Sequence, residues 1–261
     1  MRLNHHRAGA GEPLVLIHGI GSRWQIWSPV LDRLAVQHDV VALDLPGFGD
    51  SPMPPPGTPP GSASLATLVS EFLNEIGIER PHVAGNSLGG LIALELAKRG
   101  GVRSATALSP AGFYNGPEAA YSRASLQLAV RAARRIAPRA QRLLRTPLGR
   151  RLALGQMLAH PERMPAADAA ASIRAMASAP WFDETLAAIR RERFGGGERI
   201  ELPVTIAWGE KDRLLLPRQA KRAARLIPRA RGVTLLGCGH VPMSDDPEQV
   251  ARVILKGTAA A

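Results

Sequence analysis

The 261-residue chain predicts an α/β protein: a mostly parallel central sheet with helices on both faces, interrupted by an inserted all-helical segment. Three observations carry this. Short apolar runs alternate with helical periodicities from the N-terminus to about residue 110, a rhythm that argues a parallel sheet covered on both sides. A middle stretch, 111–199, is rich in alanine, arginine and leucine and contains no convincing strand. From Ile200 the alternation of strand and helix returns. The expected organisation is therefore a core formed by 1–110 and 200–261, with 111–199 as a helical cap, or lid.

Taken in order, Pro13-Leu14-Val15-Leu16-Ile17 reads as a buried strand. Trp27 to Val36 reads as an amphipathic helix with Trp27, Val30, Leu31, Leu34 and Ala35 on one side. Asp39 to Leu43 is again a strand, followed by the turn-rich Pro46-Gly47-Phe48-Gly49-Asp50-Ser51-Pro52. Ser62 to Ile78 is a helix carrying Leu65, Leu68, Phe72 and Ile76 at helical spacing. A short run from Pro81 to Ala84 leads into Gly85-Asn86-Ser87-Leu88-Gly89-Gly90 and then a helical stretch from Leu91. Ser104 to Ser109 is a further strand. In the middle region Pro138, Pro147, Pro161, Pro165 and Pro180 break the helices. Arg131, Arg134, Arg135, Arg142 and Arg145 project within one sector of helical periodicity, across the kink expected at Pro138. Beyond it, Val204–Trp208 and Val233–Leu236 read as strands, and Pro217–Leu226 and Pro247–Lys256 as helices.

Hydrophobic residues make up 45% of the chain, enough to bury a sizeable core. The single cysteine, Cys238, excludes an intramolecular disulfide and fits a reducing compartment. Met1–Gly11 is polar and lacks an apolar signal core, and no apolar run reaches transmembrane length. A cytoplasmic protein without a stable membrane anchor is expected. The net charge of +11 is uneven: between Ala111 and Gly195 there are fourteen arginines, no lysine and six acidic residues. Such a segment could attract nucleic acid, an anionic membrane or an acidic substrate, but a solvated basic helical face is the expected reading. Nucleic acid is not an expected partner, because the segment's aromatics (Phe113, Tyr114, Tyr121, Trp181, Phe182, Phe194) cluster at its ends instead of interleaving with the arginines. Nothing in the pattern specifies an oligomeric state.

Small residues two before and two after Ser87 are what a sharp strand-to-helix turn requires: the serine takes a strained backbone conformation while Gly85 and Gly89 admit neighbouring backbone. Such a turn presents a hydroxyl above the sheet edge, but a hydroxyl is a weak nucleophile until an oriented base takes its proton. Of seven histidines, His5 and His6 lie at a terminus expected to be exposed, His38 at a helix end, His82 at the far edge of the sheet and His160 in the insert. His240 follows a strand in Leu236-Gly237-Cys238-Gly239-His240, where two glycines let the loop curl over the sheet, and is the expected base. The orienting acid should also leave a strand end. Asp212, in Trp208-Gly209-Glu210-Lys211-Asp212, does so. Glu210 is its neighbour and reads as a solvated carboxylate paired with Lys211. Asp44 also ends a strand, but beside a tight turn it reads as a cap for backbone N–H groups. Two N–H donors should face the developing oxyanion. Leu88 supplies one, and His18-Gly19-Ile20-Gly21 offers the other, Ile20 first and Gly21 second. His18 then holds its loop by hydrogen bonds. Trp24, Phe113, Tyr114 and Trp181 are candidates for the wall of a substrate pocket.

Five segments together resemble the α/β-hydrolase fold superfamily: Gly11–Gly19, Asp44-Leu45-Pro46-Gly47-Phe48-Gly49-Asp50-Ser51, Gly85–Gly90, Trp208–Asp212 and Gly237–His240. They cover nearly the whole chain apart from the insert and keep the superfamily's order of Ser, Asp and His. The resemblance implies a helical cap inserted after the sixth strand, where the basic segment sits, and neither metal nor organic cofactor. Only Met1–Glu12 precede the His18 strand, so the opening strand pair is shortened. Serine at position 87 argues against haloalkane dehalogenases and epoxide hydrolases, which carry aspartate there. The implied activity is that of a serine hydrolase on a carboxylic ester or other small acyl substrate. A second implied activity is C–C bond hydrolysis of the meta-cleavage type, with a cap arginine such as Arg174 or Arg190 on the substrate carboxylate. Gly21-Ser22-Arg23-Trp24 and Val241-Pro242-Met243 depart from that subfamily's loops. Some members of the fold bind ligands without turnover, which is the non-enzymatic alternative.

Overall fold

The computed structural model describes residues 1–261. Its centre is a seven-stranded sheet: β1 (His5–Ala8), β2 (Glu12–Ile17), β3 (His38–Leu43), β4 (His82–Asn86), β5 (Ser104–Leu108), β6 (Val204–Gly209) and β7 (Arg231–Leu235), in the order β1-β3-β2-β4-β5-β6-β7. Only β1 runs antiparallel, pairing with β3 from His5 opposite Leu43 to Ala8 opposite Val40. All other neighbours are parallel. His5 and His6 thus belong to a strand, not to an exposed terminus. His6 stacks on Trp24 with ring centroids 4.6 Å apart, and Arg7 clamps Asp39 of β3 with two hydrogen bonds.

The strands alternate their side chains between two cores, as a period of two demands. Val15, Ile17, Val41 and Leu43 face one layer, where they pack with Leu65, Val69 and Phe72 of α2 (Ser62–Glu75) and Leu91, Ile92 and Leu94 of α3 (Leu88–Lys98). Leu14, Leu16, Val40 and Ala42 face the other, against Val30, Leu31 and Leu34 of α1 (Ser28–Ala35) and residues such as Val250 and Ile254 near the C-terminus.

Between β5 and β6 the chain forms five helices and no strand: α4 (Gly116–Ile136), α5 (Ala140–Leu143), α6 (Pro147–Leu154), α7 (Ala166–Ser178) and α8 (Phe182–Ile189). The insertion follows this chain's fifth strand because a single strand, β1, precedes β2. Asn115 starts α4 with a reciprocal capping box to Glu118, and that buried carboxylate also pairs with Arg218 and Arg222. Proline breaks the helix as expected: α4 ends before Pro138, which sits in a short 3-10 turn. The arginine sector read from the sequence is therefore split between α4 and α5. A third apolar cluster, including Ala133, Leu144, Leu154, Leu158, Ala170 and Ile173, holds these helices together. The closing helices are α9 (Ala220–Leu226), α10 (Pro242–Asp245) and α11 (Pro247–Thr258), the last capped by Asp246 on the Gln249 N–H. No helix is long and apolar enough to cross a membrane.

The chain leaves β2, passes to β3 on one side, and returns to place β4 on the other, with Ile17 opposite Gly85. The carboxyl ends of β2 and β4 are thereby adjacent at the point where strand order reverses, the position at which open α/β sheets bind ligands. Close packing there depends on glycine. A Cβ on Gly89 would lie 2.1 Å from the Ile17 carbonyl oxygen and 2.6 Å from that of His18. Gly89→Ala is expected to cost at least about 3 kcal/mol, lowering the melting temperature by more than about 5 °C. Gly101→Ala, where a Cβ meets nothing within 4 Å, should stay within about 0.5 kcal/mol; urea unfolding of the two variants checks the contrast.

Candidate active site

Ser87 sits between β4 and α3 with φ 58° and ψ −114°, a left-handed conformation rare for a residue with a side chain. Gly85 is required beneath it, since a Cβ there would meet the Gly89 carbonyl oxygen at 2.0 Å. The turn is fixed by Ser87 N–H donating to Leu108 O, and by Leu91 and Ala111 N–H groups donating to Ser87 O. The loop after β2 passes directly alongside: a Cβ on Gly19 would lie 3.1 Å from Ser87 Cβ and 3.7 Å from its Oγ. The amides of Ile20 and Leu88 make no hydrogen bond within the protein. Leu88 opens α3, where the first N–H groups have no intrahelical acceptor, and Ile20 lines both cavities that reach Ser87.

His240 and Asp212 are brought together from the loops after β7 and β6. His240 Nδ1–H donates to Asp212 Oδ2 at 2.8 Å, with both residues 3% exposed. The other carboxylate oxygen accepts from the Leu214 and Leu215 N–H groups at 2.8 and 2.9 Å. Three donors thus hold this carboxylate and replace the water lost on burial. With Nδ1 committed as a donor, Nε2 is the ring nitrogen left to accept a proton. The loops that carry Asp212 and His240 are laced by Lys211 N–H to Cys238 O and Glu210 N–H to Leu235 O, and Gly209 admits Gly239 so closely that a Cβ would meet its carbonyl oxygen at 2.1 Å. Glu210 is not paired with Lys211; it accepts from Gly237 N–H at 2.9 Å and so shapes the base loop.

Two positioning residues carry no clear sequence signal. Asn86 uses its amide to donate to Leu108 O and His240 O, at 3.1 and 2.9 Å, tying the end of β4 to the His240 loop. Asp245 accepts from Gly239 N–H and from Ala159 and His160 N–H in the insertion. Val241 N–H donates to Met157 O beside it. Asn86 directly precedes the serine and could have been singled out by place; nothing in the sequence connects Asp245 to Ala159.

Asp44 behaves as a cap, accepting from Trp24 N–H, Asp50 N–H and Asn4 Nδ2. His18 is fully buried, accepts from Leu45 N–H at Nε2 and donates from Nδ1 to Gly19 O. Burial pulls its pKa down, against the pull of Asp44 and of the Gly19 hydrogen bond. The Cys238 thiol, two residues from His240, is pushed up to about 12 by burial and by Asp245 and Asp246, so it stays protonated.

The serine and histidine share a largely apolar cavity of about 110 Å³, walled by Ile26, Leu126, Leu154, Met157, Ile173 and Met176 among others. A smaller one of about 30 Å³ reaches Ser87 from the Leu88 side and is bordered by Tyr114, Arg123, Leu186, Ile189 and Arg190. Of the aromatic wall candidates Tyr114 alone borders either cavity at Ser87, with its hydroxyl on Ile189 O. Trp24 lies outside, stacked on His6. Phe113 packs inward against Phe194 and Trp208, with centroids 5.5 and 6.4 Å away. Trp181 is spent on Gly47, where a Cβ would come within 2.5 Å of its own. The insertion's contribution to the larger wall is chiefly aliphatic and thioether side chains, such as Leu126, Leu154, Met157, Ile173 and Met176.

The alpha/beta hydrolase family profile matches residues 14–253. The chain belongs to the alpha/beta hydrolase family. It is 32% identical over 254 residues to a dihydrolipoyllysine-residue acetyltransferase component of the acetoin cleaving system of Cupriavidus necator, covering 92% of this chain and 62% of that protein. The chain thus spans under two thirds of that relative's length. It is 32% identical over 202 residues to the epoxide hydrolase EphH of Mycobacterium tuberculosis, covering 74% of this chain and 92% of that one. Among solved structures, a bacterial membrane phospholipase A superposes with a TM-score of 0.77 at 27% identity, over 99% of this chain and 87% of the other. An esterase from Thermogutta terrifontis shares the fold at 23% identity and a TM-score of 0.72, over 97% and 92%.

The buried neutral histidines give this family member a pH signature. His18 and His82 both have pKa values lowered, chiefly by burial. Unfolded, each takes up a proton below about pH 6.5; folded, each resists it. Their stabilisation is complete above that pH and is lost as pH falls toward the folded-state values. Urea midpoints should decline on acidification from neutrality, and the decline should be shallower in His18→Asn and in His82→Asn.

Proposed function

We propose that the protein is a serine hydrolase cleaving a carboxylic ester or related acyl substrate through an acyl-enzyme. The observation that carries this reading is the strained Ser87 at the wall of an apolar cavity that also contains His240, whose Nδ1 is held 2.8 Å from Asp212 Oδ2. His240 Nε2 takes the Ser87 proton as Oγ attacks the carbonyl carbon. Negative charge develops on the carbonyl oxygen, toward the Ile20 and Leu88 N–H groups, each donor worth roughly 3–4 kcal/mol to the transition state. The imidazolium, stabilised by Asp212, returns its proton to the leaving alcohol. Water, deprotonated by the same ring, then attacks the acyl carbon and releases Ser87. No step calls for a metal or organic cofactor. The likeness to a phospholipase A supports an acyl substrate. The resemblance implies aspartate at this position in epoxide hydrolases, so serine at position 87 favours acyl transfer over epoxide opening.

A fluorophosphonate should label Ser87, and a short-chain nitrophenyl ester should release a burst of nitrophenol equal to the enzyme present. Ser87→Ala is expected to abolish both and to lower kcat by ~10⁴ or more; Asp212→Asn should lower kcat by ~10⁴. Wild-type protein that gives neither label nor burst would fit the ligand-binding reading instead.

One observation favours C–C bond hydrolysis as a second reading: Arg190 borders the smaller cavity at Ser87, within reach of a substrate carboxylate, while Arg174 is exposed and borders neither cavity. On that reading Arg190→Gln raises KM for a vinylogous diketo acid about tenfold or more. An equal rise for acidic and neutral substrates would remove the basis for it.

A further inference from the structure

The outer corner of the insertion combines features that the catalytic reading leaves unused. Over residues 131–151 the chain carries eight arginines and no acidic residue. Three are engaged: Arg134 with Asp183, Arg151 with Glu162, and buried Arg150 with the carbonyls of Leu144, Arg145 and Glu162. The other five, Arg131, Arg135, Arg139, Arg142 and Arg145, are exposed, and their guanidinium groups have no partner within the protein. Among them stand Leu148 and Leu152, one turn apart on α6 and 65% and 80% exposed, with Leu143 at the end of α5, 44% exposed. The α5 end rests on α6, since a Cβ on Gly149 would lie 1.9 Å from the Leu143 carbonyl oxygen.

A single exposed leucine is ordinary, but three on α5 and α6, with unpaired Arg142 and Arg145 in the same turn and Arg131, Arg135 and Arg139 in the chain leading to it, form an amphipathic surface. We propose that the α5–α6 corner docks reversibly onto an anionic lipid bilayer, the leucines entering the headgroup boundary and the arginines meeting lipid phosphates. Charge selects this occupant. A second copy of the same face would oppose five unpaired guanidinium groups to five others, and a nucleic acid backbone gives the leucines no apolar partner. The opposite side of α6 supplies Ala153 and Leu154 to the cavity at Ser87, so one helix would face the bilayer and the site together. The proposal does not rest on the acyl-enzyme reading, because docking is measured without turnover.

Co-sedimentation of the full chain with vesicles tests it. Protein should pellet with phosphatidylcholine–phosphatidylglycerol vesicles, not with phosphatidylcholine alone, and high salt should release it. Binding should weaken at least about tenfold in Arg142→Glu/Arg145→Glu and about tenfold in Leu148→Ser/Leu152→Ser. Arg225→Glu/Arg229→Glu makes the same charge change at exposed residues of another part of the molecule and should bind as wild type, as should Ser87→Ala. Three results would each overturn the proposal: no pelleting with the mixed vesicles, an equal loss in both charge-reversal pairs, or a dimer dissolved by the leucine substitutions in protein that binds no vesicle.

Discussion

The contact between the turn at Ser87 and the end of β2 governs the rest of the molecule. Holding a serine at φ 58° costs on the order of 1–3 kcal/mol, and the conformation persists because every neighbour is already committed. Gly85 lies under Gly89, Gly89 lies against the Ile17 and His18 carbonyls, and Gly19 lies against the serine itself. Three glycines thus let two loops share a space that side chains would fill. The same approach leaves the Ile20 and Leu88 amides without acceptors beside the hydroxyl. Strain, missing Cβ atoms and free donors are one arrangement seen from three sides.

From that contact the site is assembled outward by hydrogen bonds between loops. Asn86 grips the His240 carbonyl, Asp212 grips the His240 ring, and Asp245 grips Gly239. Each is a buried polar group engaged in hydrogen bonds, so His240 is fixed from its backbone and its ring at once. Asp245 and Met157 extend the lattice into the insertion. The helices of the insertion are therefore part of what positions His240, and loosening the insertion would move its loop as well as the cavity wall.

What the sequence made legible follows from how local each signal is. Buried parallel strands announce themselves as apolar runs, and six of the seven were read within a few residues of their ends. β1 is expected only as a shortened opening of the sheet, and its residues are not legible because His5-His6-Arg7-Ala8 is short, polar and at the edge; it is held by pairing to β3 and by the clamp of Arg7 on Asp39, 32 residues away in sequence. Ser87, Asp212 and His240 each sit in a glycine-marked loop after a strand, a local pattern. The cavity walls were not legible. Aromatic size pointed to Phe113 and Trp181, but those rings anchor the insertion to the core, and Met157, Met176 and Ile173 reach the site only through helix packing that no short motif encodes.

An arginine-rich insertion over an apolar cavity looks contradictory until Arg150 is considered. Its guanidinium is nearly buried, yet it meets no carboxylate: it donates to three backbone carbonyls at the turn joining α5 and α6 and in the segment before α7. Carbonyls that end short helices lack intrahelical donors, and a planar cation with several N–H groups can serve three of them from one position. Lysine, with a single nitrogen, could not span them. That use of one arginine closes the turn through backbone carbonyls alone, while the one carboxylate beside it, Glu162, is taken by Arg151. Arg142 and Arg145 are left exposed on the outer side, and Ala153 and Leu154 of α6 line the cavity at Ser87, so the basic surface and the apolar interior belong to two sides of the same pair of short helices.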